Sequence, residues 1–557
     1  MTEIKQSKSQ ESSNAIERIY ITMRHLFNRG FYKPMGVSGK TLREALLTLQ
    51  PEIYGSIAEE KAELEGLLYI IDRLPEGIAE CRFVNLTAEE GFSNSNFKSI
   101  IPAKRRRNCY RIDKDQMNIE ITRGRSDIYD VLTHLTFLYI ESEKIANKVL
   151  LNDDTGEVIR EWSHLEKTVL NKPKLSLQEK EVLFSYLSNI LGRSFSEIQN
   201  AYKDFSTTRN PNRFFDLIYW MGKLAINETV LDQKRTVTFS SILRERIGHH
   251  IYGDRWATNI KKKLVEKNLH QREIHIISAN MHSVMNSIYA PISLPKEGKE
   301  HQGIELYELL SQENNNDLRK RVKTFASKNG LIYIKDKTGT NINVQIIDTE
   351  KVDFSKTNYS TTEDKEKPVI IVMDYAFGEQ AYETMDELLK PLDIEDGSKI
   401  YFNISSVSIM GKAGILQGGK GDIMIPKAHI FEGTADNYPF KNDLRKEDFE
   451  DVDLGVFKGT MVTVLGTSLQ NKDLLEFFKN STWKVIGLEM EGAHYQKAIQ
   501  SASKIRGNIS KKVKVRYAYY ASDNPLETGG TLASGGLGTT GVKPTYAITE
   551  KILEKIL

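Results

Sequence analysis

The chain has 557 residues, with 77 basic against 75 acidic side chains for a net charge of +2 and 39% hydrophobic residues. That length exceeds what one core serves, so two or three domains are expected, and the balanced charge makes no case for nucleic acid or an acidic membrane as partner. Cys81 and Cys109 are the two cysteines, which excludes a disulfide framework and fits a reducing cytoplasm; no apolar run reaches the roughly 18 residues of a membrane span, and the polar stretch Met1 to Asn14 has no leader-like apolar core, so a cytoplasmic protein is expected.

From about Ser13 to His270 the pattern is mostly helical. Ile16, Ile19, Tyr20, Met23, Leu26 and Phe27 share one amphipathic face, Tyr129, Leu132, Leu135, Leu138 and Tyr139 another, and such stripes are core. Alternation at Tyr110, Ile112, Ile119 and Ile121 predicts a small β insert over Cys109 to Arg123. Beside it, Lys104, Arg105, Arg106 and Arg107 read either as a solvated loop or as a contact for phosphate on a nucleotide or an RNA. No aromatic pattern of an RNA-binding module accompanies them. His249 and His250 lack a third ligand at a metal-site spacing, so no metal is implied.

Near Arg272 the composition changes. Ile274 to Ala279 predicts a buried strand leading into Asn280-Met-His-Ser283, Gly303 to Ser327 a helix, and Leu331 to Lys335 with Ile342 to Ile347 a hairpin around Lys337-Thr-Gly-Thr340. His282, after a strand, is either catalytic or a satisfied structural histidine. Asp353 to Lys367 is charged, rich in Ser and Thr and without apolar periodicity, the composition of a linker. Three segments are therefore expected: a mostly helical domain over 1–270, a small α/β segment and linker over 271–367, and an α/β domain over 368–557.

Past the linker, strands and helices alternate. Pro368 to Val372 reads as a central strand, Gly378 to Leu389 as a helix opening at Glu379, and Tyr401 to Met410 as a strand entering a glycine-rich turn, Gly411-Lys-Ala-Gly414. Glycines there let the backbone approach a ligand and offer N–H groups to an anion, although the spacing is that of neither a Walker loop nor a dinucleotide fingerprint. Gly421-Asp-Ile-Met-Ile-Pro426, a strand at Met461 to Leu465, a helix at Lys472 to Asn480 and a last strand at Lys512 to Tyr520 follow. Polar residues gather at the strand ends, which predicts a twisted sheet covered on both faces with its site at those ends.

The site candidates lie in Gly487-Leu-Glu-Met-Glu-Gly-Ala493 and Tyr520-Ala-Ser-Asp-Asn-Pro525. Val485 and Ile486 end a buried strand, and Ala493, Tyr495, Ala498 and Ile499 recur at helical spacing, so Glu489 and Glu491 fall at a strand-to-helix junction. Burying carboxylates costs several kcal/mol unless they are paired or hydrogen-bonded. A diol such as ribose satisfies a carboxylate at both hydroxyls. The alternative is that both glutamates sit in an exposed loop or cap the following helix.

Gly-x-Ala-Gly, Gly-Asp-x-x-Ile-Pro, Glu-Met-Glu and Ser-Asp after a strand, in that order, resemble the nucleoside phosphorylase and nucleosidase superfamily over Pro368 to Leu557. Within it, Ser522-Asp-Asn-Pro-Leu526 followed by a glycine-containing segment is similar to the AMP nucleosidases, which also carry a large N-terminal domain. The resemblance implies a three-layer α/β/α domain preceded by a mostly α-helical N-terminal region. It also implies an N-ribosyl hydrolase acting on a purine nucleoside or nucleotide, with no cofactor, in a homo-oligomer. By the same resemblance Glu491 takes the ribose 2′ and 3′ hydroxyls beside Glu489, Met490 packs on the sugar, Asp523 is the general acid at purine N7, and Ser522 orients it. Glu379 is the candidate for activating water, and Gly411 and Lys412 lie where a substrate phosphate would be met, Lys412 alternatively capping a carboxylate. Ile409 and Met410 stand where the phosphorylases carry an arginine for inorganic phosphate, which favours hydrolysis. Ser468, Leu469 and Gln470 stand where a ring stacking on the base is expected. A phosphorylase and a non-catalytic nucleotide sensor with a helical output domain remain the other readings. The segment Thr528 to Gly541 reads as a linker or a loop closing over the site.

Overall fold

The computed structural model describes residues 8–301, 303–357, 359, 367–434, 436–528 and 537–557. The chain divides into two compact units, one of residues 1–121, 127–248 and 468–471, the other of residues 122–126, 249–467 and 472–557. The boundary thus falls at 248/249 and not at 270.

The first unit has the expected helices, and Lys8–Arg29 buries the face of Ile16, Ile19, Tyr20, Met23, Leu26 and Phe27. Its β content is larger than a small insert. Six strands form one sheet in the order Phe31–Tyr32, Thr236–Phe239, Phe83–Thr87, Gln116–Glu120, Cys109–Arg111 and Ser99–Ile100. Phe83–Thr87 at its centre pairs parallel with both neighbours. Strands of two to five residues offer too few positions for alternation to be read, which is why the sheet was hidden. The basic run is neither a solvated loop nor a phosphate contact as a whole. Arg107 is buried, its Nε donating to Asp127 Oδ1 at 2.8 Å, and Arg105 grips Asp130 through Nε and Nη2, both at 2.9 Å.

The second unit is built on ten strands: β1 (Ile274–Ser278), β2 (Leu331–Ile334), β3 (Val344–Asp348), β4 (Val369–Met373), β5 (Ile404–Ile415), β6 (Ile423–Phe431), β7 (Asn437–Pro439), β8 (Val456–Thr463), β9 (Val485–Glu489) and β10 (Lys514–Asp523). They run in the order β2-β3-β4-β1-β5-β9-β8-β6-β7, and β10 pairs with both β5 and β6. The pairings β5-β9-β8-β6-β10-β5 therefore close a ring, from which β1, β4, β3 and β2 extend as an open wing. Strands β4, β1, β5 and β10 are parallel neighbours. The segment 271–367 is not separate: β1, β2 and β3 belong to this sheet, with β2 and β3 forming the expected hairpin.

Val369–Met373 is apolar at every position because both its faces are covered. Val369, Ile371 and Met373 enter one core with Trp256 and Ile260 of α1 (Ile251–Glu266) and Met385 of a later helix, Gln380–Leu388. Ile370 and Val372 enter another with Val284 and Ile288 of α2 (Met281–Ser293) and Ile548 and Ile552 of the helix Val542–Glu554. No helix among the described residues is long and apolar enough to cross a membrane.

The expected glycine turn at Gly411–Gly414 is strand. β5 runs through it, in step with β10 from Ser406↔Lys514 to Ala413↔Ala521, and the register shifts between Ala413 and Gly414. A continuous partner strand holds the backbone extended where glycines alone predict a turn. Most of the expected linker (358 and 360–366) and of the glycine-rich tail (529–536) lies outside the described residues; Phe354, at the linker's start, is buried.

Candidate active site

Strand β9 delivers Glu489 to the carboxyl end of the sheet, and the helix Gly492–Gln500 begins three residues on. Glu489 is 3% exposed. It accepts from the Thr463 hydroxyl at the end of β8 and from the N–H groups of Glu491 and Gly492. Gly492 is required by close approach, since a Cβ there would lie 2.3 Å from His429 Cδ2. Glu491 is partly exposed and accepts from the Gly378 N–H at 2.9 Å. Gly378 has φ +55°, and a Cβ on it would lie 2.3 Å from Ser126 Oγ, so only glycine brings this N–H to Glu491.

Neither carboxyl has a cation within salt-bridge distance among the described residues. Burial pushes Glu489 up to about 7 against the pull of Thr463 and the two N–H groups. Burial and then the neighbouring Glu489 charge push Glu491 up to about 8, opposed by the N–H groups of Gly378 and Met490. The pair is thus shifted toward holding protons around neutral pH.

Both line a cavity of about 260 Å³. Its walls also hold Met490, Gly411, Lys412 and Ser522, so the structure brings six of the expected site residues together. Lys412 is the single cation among the described lining residues. Four tyrosines complete the wall: Tyr375, Tyr495, Tyr519 and Tyr520. Tyr495 OH lies 3.0 Å from Ser278 Oγ, and Tyr519 OH lies 3.2 Å from His429 Nε2.

Asp523 and Glu379 do not line the cavity. Asp523 Oδ1 lies 2.5 Å from Ser522 Oγ, which is 3.1 Å from the Ala413 carbonyl, while Oδ2 is buried without a hydrogen-bond partner. Burial raises the Asp523 carboxyl against the Ser522 hydroxyl and the charges of Lys412 and Lys420. Glu379 is the N-cap of the helix Gln380–Leu388; its N–H donates to Ser126 Oγ at 2.8 Å and its carboxylate accepts from Arg125 Nη1 at 3.3 Å. It fixes the loop carrying Gly378. His282 is exposed at the start of α2, its N–H bonded to Asn280 Oδ1, and is not part of the lining.

His250, Asp386 and Glu387 place ligand atoms within 4.8 Å of one another. Lys390 Nζ already sits 2.6 Å from Glu387 Oε1 and Arg506 Nη2 2.5 Å from Asp386 Oδ1, so these carboxylates are neutralised by the protein's own cations.

Sequence reasoning missed the tyrosines, although the cluster Tyr517-Ala-Tyr-Tyr520 ahead of Ser522 was a legible signal. It looked for the ring at Ser468–Gln470, which belongs to the first unit, where Gln470 O accepts from Glu52 N–H at 2.9 Å. Arg125 and Ser126 had no signal at all, being some 253 positions from the loop they hold.

Chemically, this is a tyrosine-walled cavity with two carboxyl groups able to accept from neighbouring hydroxyls and with a raised aspartate behind its rim. A family model described as "Family of unknown function (DUF6909)" matches residues 40–299 and 301–557. No curated protein matches the chain. Among solved structures, a futalosine hydrolase mutant of Helicobacter pylori strain 26695 is 12% identical, with 51% of this chain and 99% of that one covered and a TM-score of 0.30. The 5′-methylthioadenosine/S-adenosyl homocysteine nucleosidase of Campylobacter jejuni is 11% identical over 51% and 99%, TM-score 0.30. Isoform 2 of uridine phosphorylase from Schistosoma mansoni is 13% identical over 52% and 89%, TM-score 0.31.

Proposed function

The chain belongs to the DUF6909 family, a family of unknown function, and from that premise we propose that it is an N-ribosyl hydrolase acting on a purine nucleoside or nucleoside monophosphate. One observation carries the reading: Glu491, without a cation partner, and Ser522, beside the raised Asp523, line the same tyrosine-walled cavity. Cleaving an N-glycosidic bond builds positive charge on the sugar and negative charge on the departing base. Glu491, on losing its proton, accepts from the ribose 2′ and 3′ hydroxyls, and its charge opposes the cation forming on the ring. Glu489 shares the site's proton load and orients Glu491 through its N–H. The tyrosines give the base an apolar, aromatic wall.

Asp523, whose carboxyl burial shifts toward the protonated form, is the donor to purine N7 as the base leaves, with Ser522 fixing its inner oxygen. Reaching the base requires its Oδ2 to turn toward the cavity. Glu379 fits the expected role of water activator poorly, since Arg125 holds it outside the lining; we assign it to positioning the Gly378 loop. Lys412, on the rim, meets a 5′ phosphate if the substrate carries one. The single lining cation gives inorganic phosphate little to bind, which supports hydrolysis over phosphorolysis.

The position of Glu379 also favours a second reading, a non-catalytic sensor of the same ligand class. Chromatography of free base released from AMP, adenosine, inosine, GMP and methylthioadenosine, with and without inorganic phosphate, separates the alternatives. Release without phosphate, reduced about 10²–10⁴-fold in Asp523→Asn, is the expected outcome. A phosphate requirement would make the protein a phosphorylase, and calorimetric binding without release would make it a sensor.

A further inference from the structure

The four parallel strands β4, β1, β5 and β10 also frame a concavity at their amino ends. It measures about 520 Å³ and is lined at Lys367-Pro368, Glu273 and His275, Asn403 to Ser405, and Lys512 to Lys514. Ligand sites of parallel sheets lie at the carboxyl ends of the strands, so a second polar cavity at the other end is not what the sheet alone dictates.

Its floor is Arg516, fully buried and fully engaged. Nε donates to Asp443 Oδ2 at 2.8 Å, Nη1 to Ser406 Oγ at 2.8 Å and Nη2 to the Lys555 carbonyl at 3.2 Å. The Lys555 ammonium is likewise taken up, 2.9 Å from Asp448. The wall is different. Lys367, Lys512 and Lys514 have no carboxylate within salt-bridge distance among the described residues; Glu273 is the one acidic side chain among the described lining residues, and Leu557, the last residue, lines the hollow as well. His275, pushed down to about 4 chiefly by burial, is neutral and adds no charge. In a chain whose basic and acidic residues nearly cancel, three lysines without a carboxylate at salt-bridge distance among the described residues line one hollow, the Lys367 ammonium lying 5.6 Å from the centre of the Phe354 ring.

We infer that the amino ends of these strands form a second ligand site, which takes a phosphate-bearing small molecule through Lys367, Lys512 and Lys514. Lysines bind phosphate as mobile point charges, and a concave low-dielectric wall strengthens their joint field. The hollow is too small, and its cations too few, for the string of phosphate contacts that holds a nucleic acid. The site is independent of the proposed activity. It is linked to the cavity at the carboxyl ends by strands β5 and β10, which span about 23 Å between Ser406 and Ala413.

Calorimetric titration of pyrophosphate into the full-length protein, at fixed ionic strength in potassium chloride, tests the assignment. A saturable heat is expected, weakened about ten-fold or more in Lys512→Glu/Lys514→Glu and retained in Lys412→Met. The single neutral change Lys514→Gln, at an exposed position, is expected to weaken binding about three-fold and stands in should the double variant fail to fold. Absence of a saturable heat, equal affinity in the wild type and both lysine variants, or loss in Lys412→Met alone would overturn the inference. So would a single-stranded RNA oligonucleotide that binds in a Lys512- and Lys514-dependent way where pyrophosphate does not.

Discussion

The two ends of the same four strands carry opposite chemistry. At the carboxyl ends, about 260 Å³ is walled by four tyrosines and two carboxyl groups, with one lysine; at the amino ends, about 520 Å³ is walled by lysines above a buried arginine. The carboxyl-end groups, Glu489 buried and Glu491 partly so, lack counter-ions among the described residues, so their charges cost stability. Those at the amino end are ion-paired in the floor, as Arg516 is, or at least partly open to solvent, as the three lysines are, and cost little until a ligand arrives. Uncompensated burial at one end and uncompensated exposure at the other are what separate the cavity proposed to cleave a glycosidic bond from the one proposed to hold an anion.

The comparison breaks most visibly at Glu491. Glu491→Gln keeps an oxygen for the Gly378 N–H but loses the charge, so the rate of base release should fall by about 2–4 kcal/mol of transition-state stabilisation, roughly 30- to 1000-fold. Pyrophosphate affinity at the amino end should not change. A fall of less than three-fold under kcat/KM conditions would remove Glu491 from the sugar site.

The same variant sharpens the contrast through pH. Because Glu491 is raised from 4.5 to about 8 in the folded protein, the native state holds a proton that the unfolded chain has released between those values. Stability supplied by this group is full below about pH 4.5 and is lost as pH rises toward 8. Glu491→Gln should therefore be about 2–3 kcal/mol more stable than wild type at pH 8.5 and nearly equal at pH 4.5, read as urea midpoints with unchanged slope. A variant less stable than wild type at pH 8.5 would mean that the carboxylate has a partner the geometry does not show.

Much of the carboxyl-end site was legible because its parts are consecutive in sequence. Glu489, Met490 and Glu491 span a strand-to-helix junction, and Ser522 ends a strand whose tyrosines can be read beside it. The glycine turn was misread because the ladder between β5 and β10 is a non-local fact, and local glycines cannot report a partner 108 residues away, as Ser406 and Lys514 are. The amino-end cavity was invisible for the same reason. Lys367, Lys512 and Lys514 are unremarkable surface lysines until four strand starts are brought together. The short strands of the first unit fell below the length at which alternation is a signal.

Ser126 gives the smallest and most diagnostic effect, because it acts on Glu491 only through the loop between them. Its hydroxyl oxygen accepts the Glu379 N–H, and the next N–H along the chain toward the cavity, that of Gly378, goes to Glu491. Ser126→Ala leaves the Glu379 N–H without that partner and should cost about 1 kcal/mol of stability, as loss of a capping hydroxyl does. If the loop positions Glu491, KM for the nucleoside should rise about two- to five-fold with a smaller change in kcat, and Ser126→Thr should restore it. Were the stability to fall by that amount while KM stayed at its wild-type value, the loop would be structural support only, and Gly378 would not be what holds Glu491 toward the sugar.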